Sequence, residues 1–228
     1  MTISANCAII FRGDDMYDPI IFDLDGTLLN TLGDLAAAGN HALKAFGFPT
    51  HETEKYRYFV GNGIPKLIER ICPSDAVTRA QVHKTFSEYY DLHKSDLTKP
   101  YHGMPKLLAE LHARGITAVC NTNKDHAFSE ELLRSFYGDS LTEIVGAGLG
   151  YNTKPDPAAA LYLAKKYAKN GKDPLYVGDS GVDMQTALNA GIDACGVLWG
   201  FREREELEAL KPAHIAANVD ELRKIILT

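Results

Sequence analysis

This chain lacks several features that would assign it to a particular class of protein. No apolar run approaches the roughly 20 residues of a membrane-spanning helix. The 24 basic residues are outnumbered by 30 acidic ones and form no basic stripe, so binding to a nucleic acid through its phosphates is not indicated. None of the eight histidines lies three or four residues from another, which removes the usual spacing of a histidine metal site.

Cysteines are few and far apart in the sequence. Cys7, Cys72, Cys120 and Cys195 form no CxxC pair, and two of them lie in apolar runs, where buried reduced thiols are typical. This pattern favours a reducing compartment, and we expect a cytoplasmic protein. Because the sequence shows no coiled-coil heptads and no obvious adhesive patch, we expect a monomer or a weak dimer.

The remaining composition is that of an ordinary globular protein. Of the 228 residues, 45% are hydrophobic and 24% are charged, and the net charge is −6. A chain of this length can form one sizeable domain, or a core with a smaller insert.

The most informative stretch is the nonapeptide IIFDLDGTL, residues 20–28. Three apolar residues lead into two carboxylates, Asp23 and Asp25, and a Gly-Thr pair follows. An apolar run of this kind is typical of a buried strand in a parallel sheet, so both carboxylates are expected at its carboxyl end. Taken alone, the pattern also fits a solvated loop. An EF-hand calcium loop is excluded, because the glycine and the glutamate that it requires are not at the required positions.

Three further polar side chains border apolar runs downstream. Thr122 follows the apolar residues 116–120, Asp179 follows residues 175–178, and Lys154 immediately precedes a Pro-Asp-Pro sequence. Because the carboxyl ends of strands in an open α/β sheet gather at one crevice, these side chains and the two aspartates are expected to converge. In their order and spacing they resemble the four motifs of the haloacid dehalogenase superfamily of phosphohydrolases, a resemblance that covers most of the chain.

The pattern of elements predicts the architecture. Strands alternate with helices from residue 103 onward, which predicts an α/β fold with a doubly wound parallel, Rossmann-like sheet. Residues 32–98 are instead predicted to form consecutive helices, starting with a capping box at Thr31 and Asp34. In the family that the chain resembles, such an insertion is an all-helical C1-type cap domain; a helical layer packed on the sheet is the alternative. The predicted domains are a catalytic core (16–31 and 99–228) and a cap (32–98), with 1–15 as a disordered extension.

The two aspartates of the first motif suit phosphoryl transfer, which needs a nucleophile and a proton for the leaving group. Asp23 can act as the nucleophile by forming an aspartyl-phosphate, and Asp25 can act as the acid and then the base. The resemblance implies the same roles and adds a metal contact through the backbone carbonyl of Asp25. An aspartate at this second position disfavours the dehalogenases and the phosphonate-cleaving members of the superfamily.

Other residues are expected to bind the phosphoryl group. Thr122 offers a hydroxyl and Lys154 a positive charge, although a helix cap and a surface lysine are the ordinary alternatives. Asn123 is expected to help hold the phosphate or the substrate.

A metal site is expected beside these groups. Asp179 and Asp23 would bind Mg²⁺, which an all-oxygen ligand set favours over zinc. Asp183 fits a capping box with Ser180, and the family's GDSxxD motif implies a place at the metal or directly behind it.

The substrate is expected to be a small phosphorylated metabolite. Gly61, Asn62 and Gly63 precede a predicted helix and are expected to face the site as anion-binding backbone amides. This stretch and the Trp-Gly-Phe-Arg segment at 199–202 resemble phosphoglycolate phosphatase-like members, which implies a phosphoglycolate-like ester. A pyrophosphatase, a 5′-nucleotidase, a sugar phosphomutase similar to β-phosphoglucomutase and a non-catalytic binding protein stay open. Asn30 replaces an aspartate that is common in the family, with little expected effect on the chemistry.

Overall fold

The computed structural model of the protein describes residues 17–169 and 171–228. The predicted extension, residues 1–15, lies outside the described residues. Among the described helices, none is long and apolar enough to cross a membrane.

The described strands and helices alternate in the second half of the chain. The strands are β1 (Ile20–Phe22), β2 (Leu29–Asn30), β3 (Lys99–Pro100), β4 (Ala118–Asp125), β5 (Glu143–Ala147), β6 (Leu175–Gly178), β7 (Asp193–Val197) and β8 (His214–Ala216). The α-helices are α1 (Leu32–Ala45), α2 (Tyr56–Phe59), α3 (Ile64–Ile71), α4 (Ala76–His93), α5 (Met104–Ala113), α6 (His126–Tyr137), α7 (Ala158–Lys166), α8 (Gly181–Ala190), α9 (Arg204–Glu208) and α10 (Val219–Leu227).

Most of the strands form one parallel sheet, in the order β5-β4-β1-β6-β7-β8. Strand β1 lies in the middle, and its side chains alternate between the two faces of the sheet. Ile20 and Phe22 pack with α5, α6 and α10, whereas Ile21 packs with α7 and α8. Because both faces of β1 are covered, the strand is a continuous apolar run. The predicted doubly wound α/β fold is confirmed.

Helices α1 to α4 are inserted between β2 and β3 and have a buried core of their own. We call residues 32–98 the helical block. Strands β2 and β3 pair antiparallel, with Asn30 opposite Lys99, so the chain leaves the sheet and returns to it side by side. Phe201, from the sheet side, joins the apolar cluster of the helical block. That this block is a separate cap domain stays a prediction.

The capping box predicted at the start of α1 is wrong. The Thr31 hydroxyl donates to Asp25 Oδ1 at 2.6 Å and does not cap the helix. Asp34 accepts hydrogen bonds from the backbone N–H groups of Leu97 (3.0 Å) and Thr98 (2.8 Å) and from the Thr98 hydroxyl (2.7 Å). Thr31 therefore holds the first motif, six residues back in the chain, and Asp34 makes long-range contacts that hold the end of the helical block.

Candidate active site

Asp23 lies directly after β1, at the carboxyl end of the central strand. Its backbone N–H donates to the Val177 carbonyl of β6 at 2.9 Å, so the sheet fixes the position of the Asp23 backbone. The chain then turns at Gly26, whose φ of +93° is in the left-handed region. A β-carbon at Gly26 would come within 2.3 Å of Asp179 Oδ2. Only glycine therefore lets this turn pass so close to Asp179.

Lys154 links Asp23 to Asp183 in the interior of the site. Its ammonium donates to Asp23 Oδ1 and to Asp183 Oδ1, both at 2.7 Å, and its side chain is 3% exposed. Burial alone would lower the pKa of Lys154, but the carboxylates of Asp183 and Asp23 raise it well above its ordinary value. Lys154 is therefore a buried, charged residue of the site and not a surface lysine.

Asn123 holds Lys154 in place through its side-chain amide. The amide oxygen accepts from the Lys154 N–H at 2.7 Å, and the amide nitrogen donates to the Lys154 carbonyl at 3.2 Å. The same nitrogen also donates to the Gly61 carbonyl of the helical block at 3.1 Å. Asn123 thus borders the site and connects the loop that carries Lys154 to the helical block.

Asp23, Asp179 and Asp183 form a buried cluster of carboxylates. One oxygen of each lies within 4.8 Å of the other two. Burial raises the pKa of Asp23 to about 7, opposed by the Lys154 charge and reinforced by Asp183. Burial, followed by the charges of Asp183 and Asp23, raises the pKa of Asp179 well above its usual range. Three such acids beside one ammonium leave excess negative charge, and their all-oxygen donor set fits Mg²⁺.

Asp183 makes the predicted capping box and also contacts Lys154 in the acid cluster. Its Oδ2 accepts from the Ser180 backbone N–H at 3.1 Å and from the Ser180 hydroxyl at 2.6 Å, and the capping box at the start of α8 is confirmed. Its other oxygen faces Lys154. The helix start therefore fixes the orientation in which Asp183 meets the acid cluster.

The Asp25 carboxylate lies outside this acid cluster. Lys124 donates to Asp25 Oδ1 at 3.0 Å and to Oδ2 at 3.3 Å, and the Thr31 hydroxyl donates to Oδ1. The Lys124 ammonium lies 4.7 Å from the ring centre of Tyr90 in α4. Burial would lower the pKa of Lys124, but Asp25 and then Tyr90 keep that pKa above its ordinary value, so Lys124 carries a positive charge beside Asp25. A metal contact through the Asp25 carbonyl stays a prediction.

Lys124 is the site residue that sequence reasoning missed. The sequence predicts a strand that ends before Thr122, whereas β4 runs from Ala118 to Asp125 and contains both residues. In an extended strand, Lys124 and Thr122 point to the same face. A longer strand would therefore have placed a second lysine beside the predicted phosphoryl ligand. Thr122 does not cap a helix, because Asp125 is the residue that caps α6.

Part of this site opens onto a cavity of about 30 Å³ between the sheet and the helical block. Lys154, Asp179 and Asp183 are not among its described lining residues. The wall on the side of the helical block is apolar apart from its backbone groups. The lining residues of the cavity are Asp23, Asp25, Leu35, Val60, Gly61, Gly63, Ile64, Leu67, Thr122, Asn123 and Lys124. Gly61 and Gly63 therefore face the cavity as predicted, whereas the Asn62 side chain accepts from Arg70 at 2.8 Å on the exposed surface.

Comparison with known proteins identifies the family. The profile of the haloacid dehalogenase-like hydrolases matches residues 20–197, which include every residue of the acid cluster and both lysines. The chain belongs to the haloacid dehalogenase-like hydrolase family. The predicted family is thereby confirmed.

Two curated relatives are phosphoglycolate phosphatases. A phosphoglycolate phosphatase of Vibrio parahaemolyticus is 33% identical over 217 residues, which cover 91% of this chain and 95% of the relative. A phosphoglycolate phosphatase of Cereibacter sphaeroides is 35% identical over 189 residues, which cover 80% of this chain and 86% of the relative.

Solved structures of this hydrolase family share the fold. A predicted phosphoglycolate phosphatase from Haemophilus somnus superposes with a TM-score of 0.83 at 28% identity, covering 92% of this chain and 97% of the other. A predicted phosphatase from Clostridium acetobutylicum superposes with a TM-score of 0.81 at 26% identity, covering 93% and 99%.

Proposed function

We propose that this hydrolase is a Mg²⁺-dependent phosphatase that cleaves a small phosphomonoester through an aspartyl-phosphate on Asp23. The class, a phosphoric monoester hydrolase, accords with the names of the curated relatives. The observation that carries the proposal is the pairing of each first-motif aspartate with its own buried lysine: Asp23 with Lys154 and Asp25 with Lys124. One pair is arranged for attack on phosphorus, and the other for proton transfer.

In the first step, a carboxylate oxygen of Asp23 attacks phosphorus, and the bond from phosphorus to the ester oxygen breaks. Asp25, in its acid form, gives its proton to the departing oxygen, so the alcohol leaves neutral. Lys124 stabilises the Asp25 carboxylate that remains, and this favours the proton transfer. Lys154 and the Thr122 hydroxyl balance the negative charge of the phosphoryl oxygens.

In the second step, the same Asp25 carboxylate takes a proton from a water molecule that attacks the phosphorus of the aspartyl-phosphate. The bond from phosphorus to Asp23 breaks, inorganic phosphate leaves, and both aspartates return to their starting forms. Asp23 and Asp179, supported by Asp183, would hold Mg²⁺. When bound, the ion neutralises charge on the phosphoryl group and orients it towards Asp23.

A small leaving group suits the cavity. A cavity of about 30 Å³ holds on the order of two water molecules, so the helical block must move to admit any ester and must move further for a large leaving group. The start of α3, where no side chain caps the helix, borders this space and offers backbone N–H groups to a small anion. These features favour a phosphoglycolate-like ester.

A phosphomutase is less well supported by the same cavity. Such an enzyme must bind a second phosphate on the side away from the nucleophile. Among the described lining residues, Lys124 is the only lysine or arginine; it comes from the sheet side and is already paired with Asp25. The apolar wall of the helical block therefore argues for hydrolysis.

Replacing the two aspartates tests the proposal. Asp23→Asn is expected to abolish turnover of phosphoglycolate, and Asp25→Asn to lower kcat on the order of 10²- to 10⁴-fold while the protein stays folded by circular dichroism. EDTA is expected to stop the wild-type reaction, and added Mg²⁺ to restore it.

A panel of phosphoglycolate, a sugar phosphate, a nucleoside monophosphate and pyrophosphate then defines the substrate. We expect the highest kcat/KM for phosphoglycolate. Wild-type turnover by Asp23→Asn would refute the assignment of Asp23 as the nucleophile. A preference for pyrophosphate or a nucleotide would refute only the assignment of a phosphoglycolate-like substrate.

A further inference from the structure

The segment of residues 199–202 connects parts of the molecule that the reaction must bring together. It follows β7 and has the sequence Trp-Gly-Phe-Arg. On one side it contacts the acid cluster, and on the other it contacts the helical block.

The contact with the acid cluster is made by the backbone and by the tryptophan. The Phe201 N–H donates to Asp179 Oδ2 at 2.7 Å, and Trp199 Nε1 donates to the Thr27 carbonyl at 3.1 Å. Thr27 in turn donates its hydroxyl to Asp179 Oδ1 at 3.2 Å. A β-carbon at Gly200 would come within 2.2 Å of the Asp179 β-carbon, so glycine is required for this close approach. Both oxygens of the expected metal ligand are thus oriented by this segment or by the loop that it holds.

The contact with the helical block is made by the next residues of the segment. The Phe201 ring is 5% exposed and packs in the apolar cluster of the block. The Arg202 guanidinium donates to the Arg57 carbonyl and, at 2.8 Å, to the Val60 carbonyl. In return, Arg57 Nε donates to the Phe201 carbonyl at 2.8 Å. Each arginine therefore donates to backbone carbonyls on the other side of the boundary between the sheet and the block.

Because one short segment makes all of these contacts, the position of the helical block affects the orientation of Asp179. If the helical block moved away, Arg202 and the Phe201 ring would lose their partners, and the Phe201 N–H would lose its support against Asp179. We propose that the 199–202 segment couples closure of the helical block to the binding of a divalent cation at Asp179, with Arg202 and Arg57 as positioning residues. The inference rests on the proposed function for the presence of the cation. By linkage, the cation must also stabilise the closed block to the same degree.

Trp199 makes the coupling measurable without turnover, because it is the single tryptophan of the chain. Mg²⁺ binding is measured by calorimetry and by Trp199 fluorescence, and the hydrogen exchange of residues 56–61 is followed with and without Mg²⁺. The variants are Arg202→Gln, Arg57→Gln and the double variant. Arg204→Gln is the matched control, because Arg204 pairs only with Glu208 on the surface among the described contacts.

We expect Arg202→Gln and Arg57→Gln each to weaken Mg²⁺ binding roughly five-fold or more, and to abolish the protection that Mg²⁺ gives to residues 56–61. The double variant is expected to bind Mg²⁺ no more weakly than the single variants, since both arginines act through the same contact between the segment and the helical block. Mg²⁺ affinities of both single variants within about two-fold of Arg204→Gln, at unchanged protection, would overturn the inference. Wild-type hydrolysis of p-nitrophenyl phosphate separates the two proposals: its absence contradicts the phosphatase, and its presence with uncoupled Mg²⁺ binding contradicts only the coupling.

Discussion

Asp25 is held by one group six residues along the chain and by another 99 residues away. Thr31 donates from the start of the helical block, and Lys124 donates from the end of β4. The lysine also contacts the Tyr90 ring of α4, whose buried hydroxyl has no hydrogen-bond partner among the described residues. An acid that must change its protonation state during turnover therefore lies between a fixed hydroxyl and a fixed charge.

Lys124→Met is expected to lower kcat by roughly ten-fold or more for an alkyl phosphate, because the ionised Asp25 loses its buried partner. The loss is expected to be much smaller for p-nitrophenyl phosphate, whose leaving group needs little protonation. Lys124→Arg keeps the charge and serves as the control. Equal losses for both esters would contradict the assigned role, because a general defect in folding or phosphate binding does not depend on the leaving group.

At the scale of single residues, the site residues that could be predicted from the sequence are those that border apolar runs. The convergence of Asp23, Lys154 and Asp179 could be predicted, because strand ends meet at one edge of a parallel sheet. Lys124 could not, because its polar neighbours suggested that the strand had already ended. The exposed position of the Asn62 side chain depends on Arg70, a contact that spacing does not reveal.

The two ends of the helical block are held together by a short ribbon and by one buried carboxylate. Strands β2 and β3 form the ribbon, and Asp34 accepts four hydrogen bonds from Leu97 and Thr98 at the other end of the block. Asp34 is 2% exposed, so water cannot replace these bonds.

Asp34→Ala is expected to lower the free energy of unfolding on the order of 3 kcal/mol, because buried N–H groups lose their acceptor. Urea denaturation measures the change, with the exposed Asp139→Ala as the control. A loss below about 0.5 kcal/mol, the range of ordinary surface substitutions, would show that Asp34 does not hold the block.

The helices and the strands of the parallel sheet could be predicted, but not the short strands β2 and β3 or all of the element ends. Helical periodicity identified α1, yet its capping box was wrong, because Thr31 and Asp34 bond to residues that only the folded chain brings near. The box at Ser180 and Asp183 was correct, because there both partners belong to the same turn. Local signals thus predict local bonds and fail where a long-range partner competes.

The molecule concentrates negative charge at the place where the sheet and the helical block meet. Burial raises the pKa of Asp23 to about 7, and it also raises the pKa of Asp179 above its usual range. Between the ordinary value of about 3.9 and these raised values, the folded protein binds protons that the unfolded chain does not. Without a cation, the stability contributed by these acids is therefore present at low pH and lost as the pH rises through about 7.

Mg²⁺ is expected to raise Tm, and to raise it more at about pH 8 than at about pH 5, because protons compete with the cation for the same oxygens. Thermal unfolding with Mg²⁺ and with EDTA at the two pH values measures the difference. Asp23→Asn removes one ligand and should reduce the gain at about pH 8. A gain that is independent of pH, or no gain at all, would argue against a metal site at these acids.

At the scale of the whole chain, the family resemblance and the α/β alternation predicted the sheet, its parallel strands and the insertion of helices. They did not predict the contact between the 199–202 segment and residues 57–60, since those parts are separated by most of the sequence. The segment was visible only as a subfamily feature, and its physical role emerges from Arg202 and Phe201 in the folded molecule.

The most direct test of the account is to trap the covalent intermediate. Wild-type protein mixed with Mg²⁺ and phosphoglycolate is quenched in acid during turnover, and its peptides are analysed by mass spectrometry. The account predicts one phosphoryl group on the peptide that contains Asp23, accumulating further in Asp25→Asn when p-nitrophenyl phosphate is the substrate. A phosphoryl group on another residue, or active turnover by Asp23→Asn without any phosphorylated peptide, would contradict it.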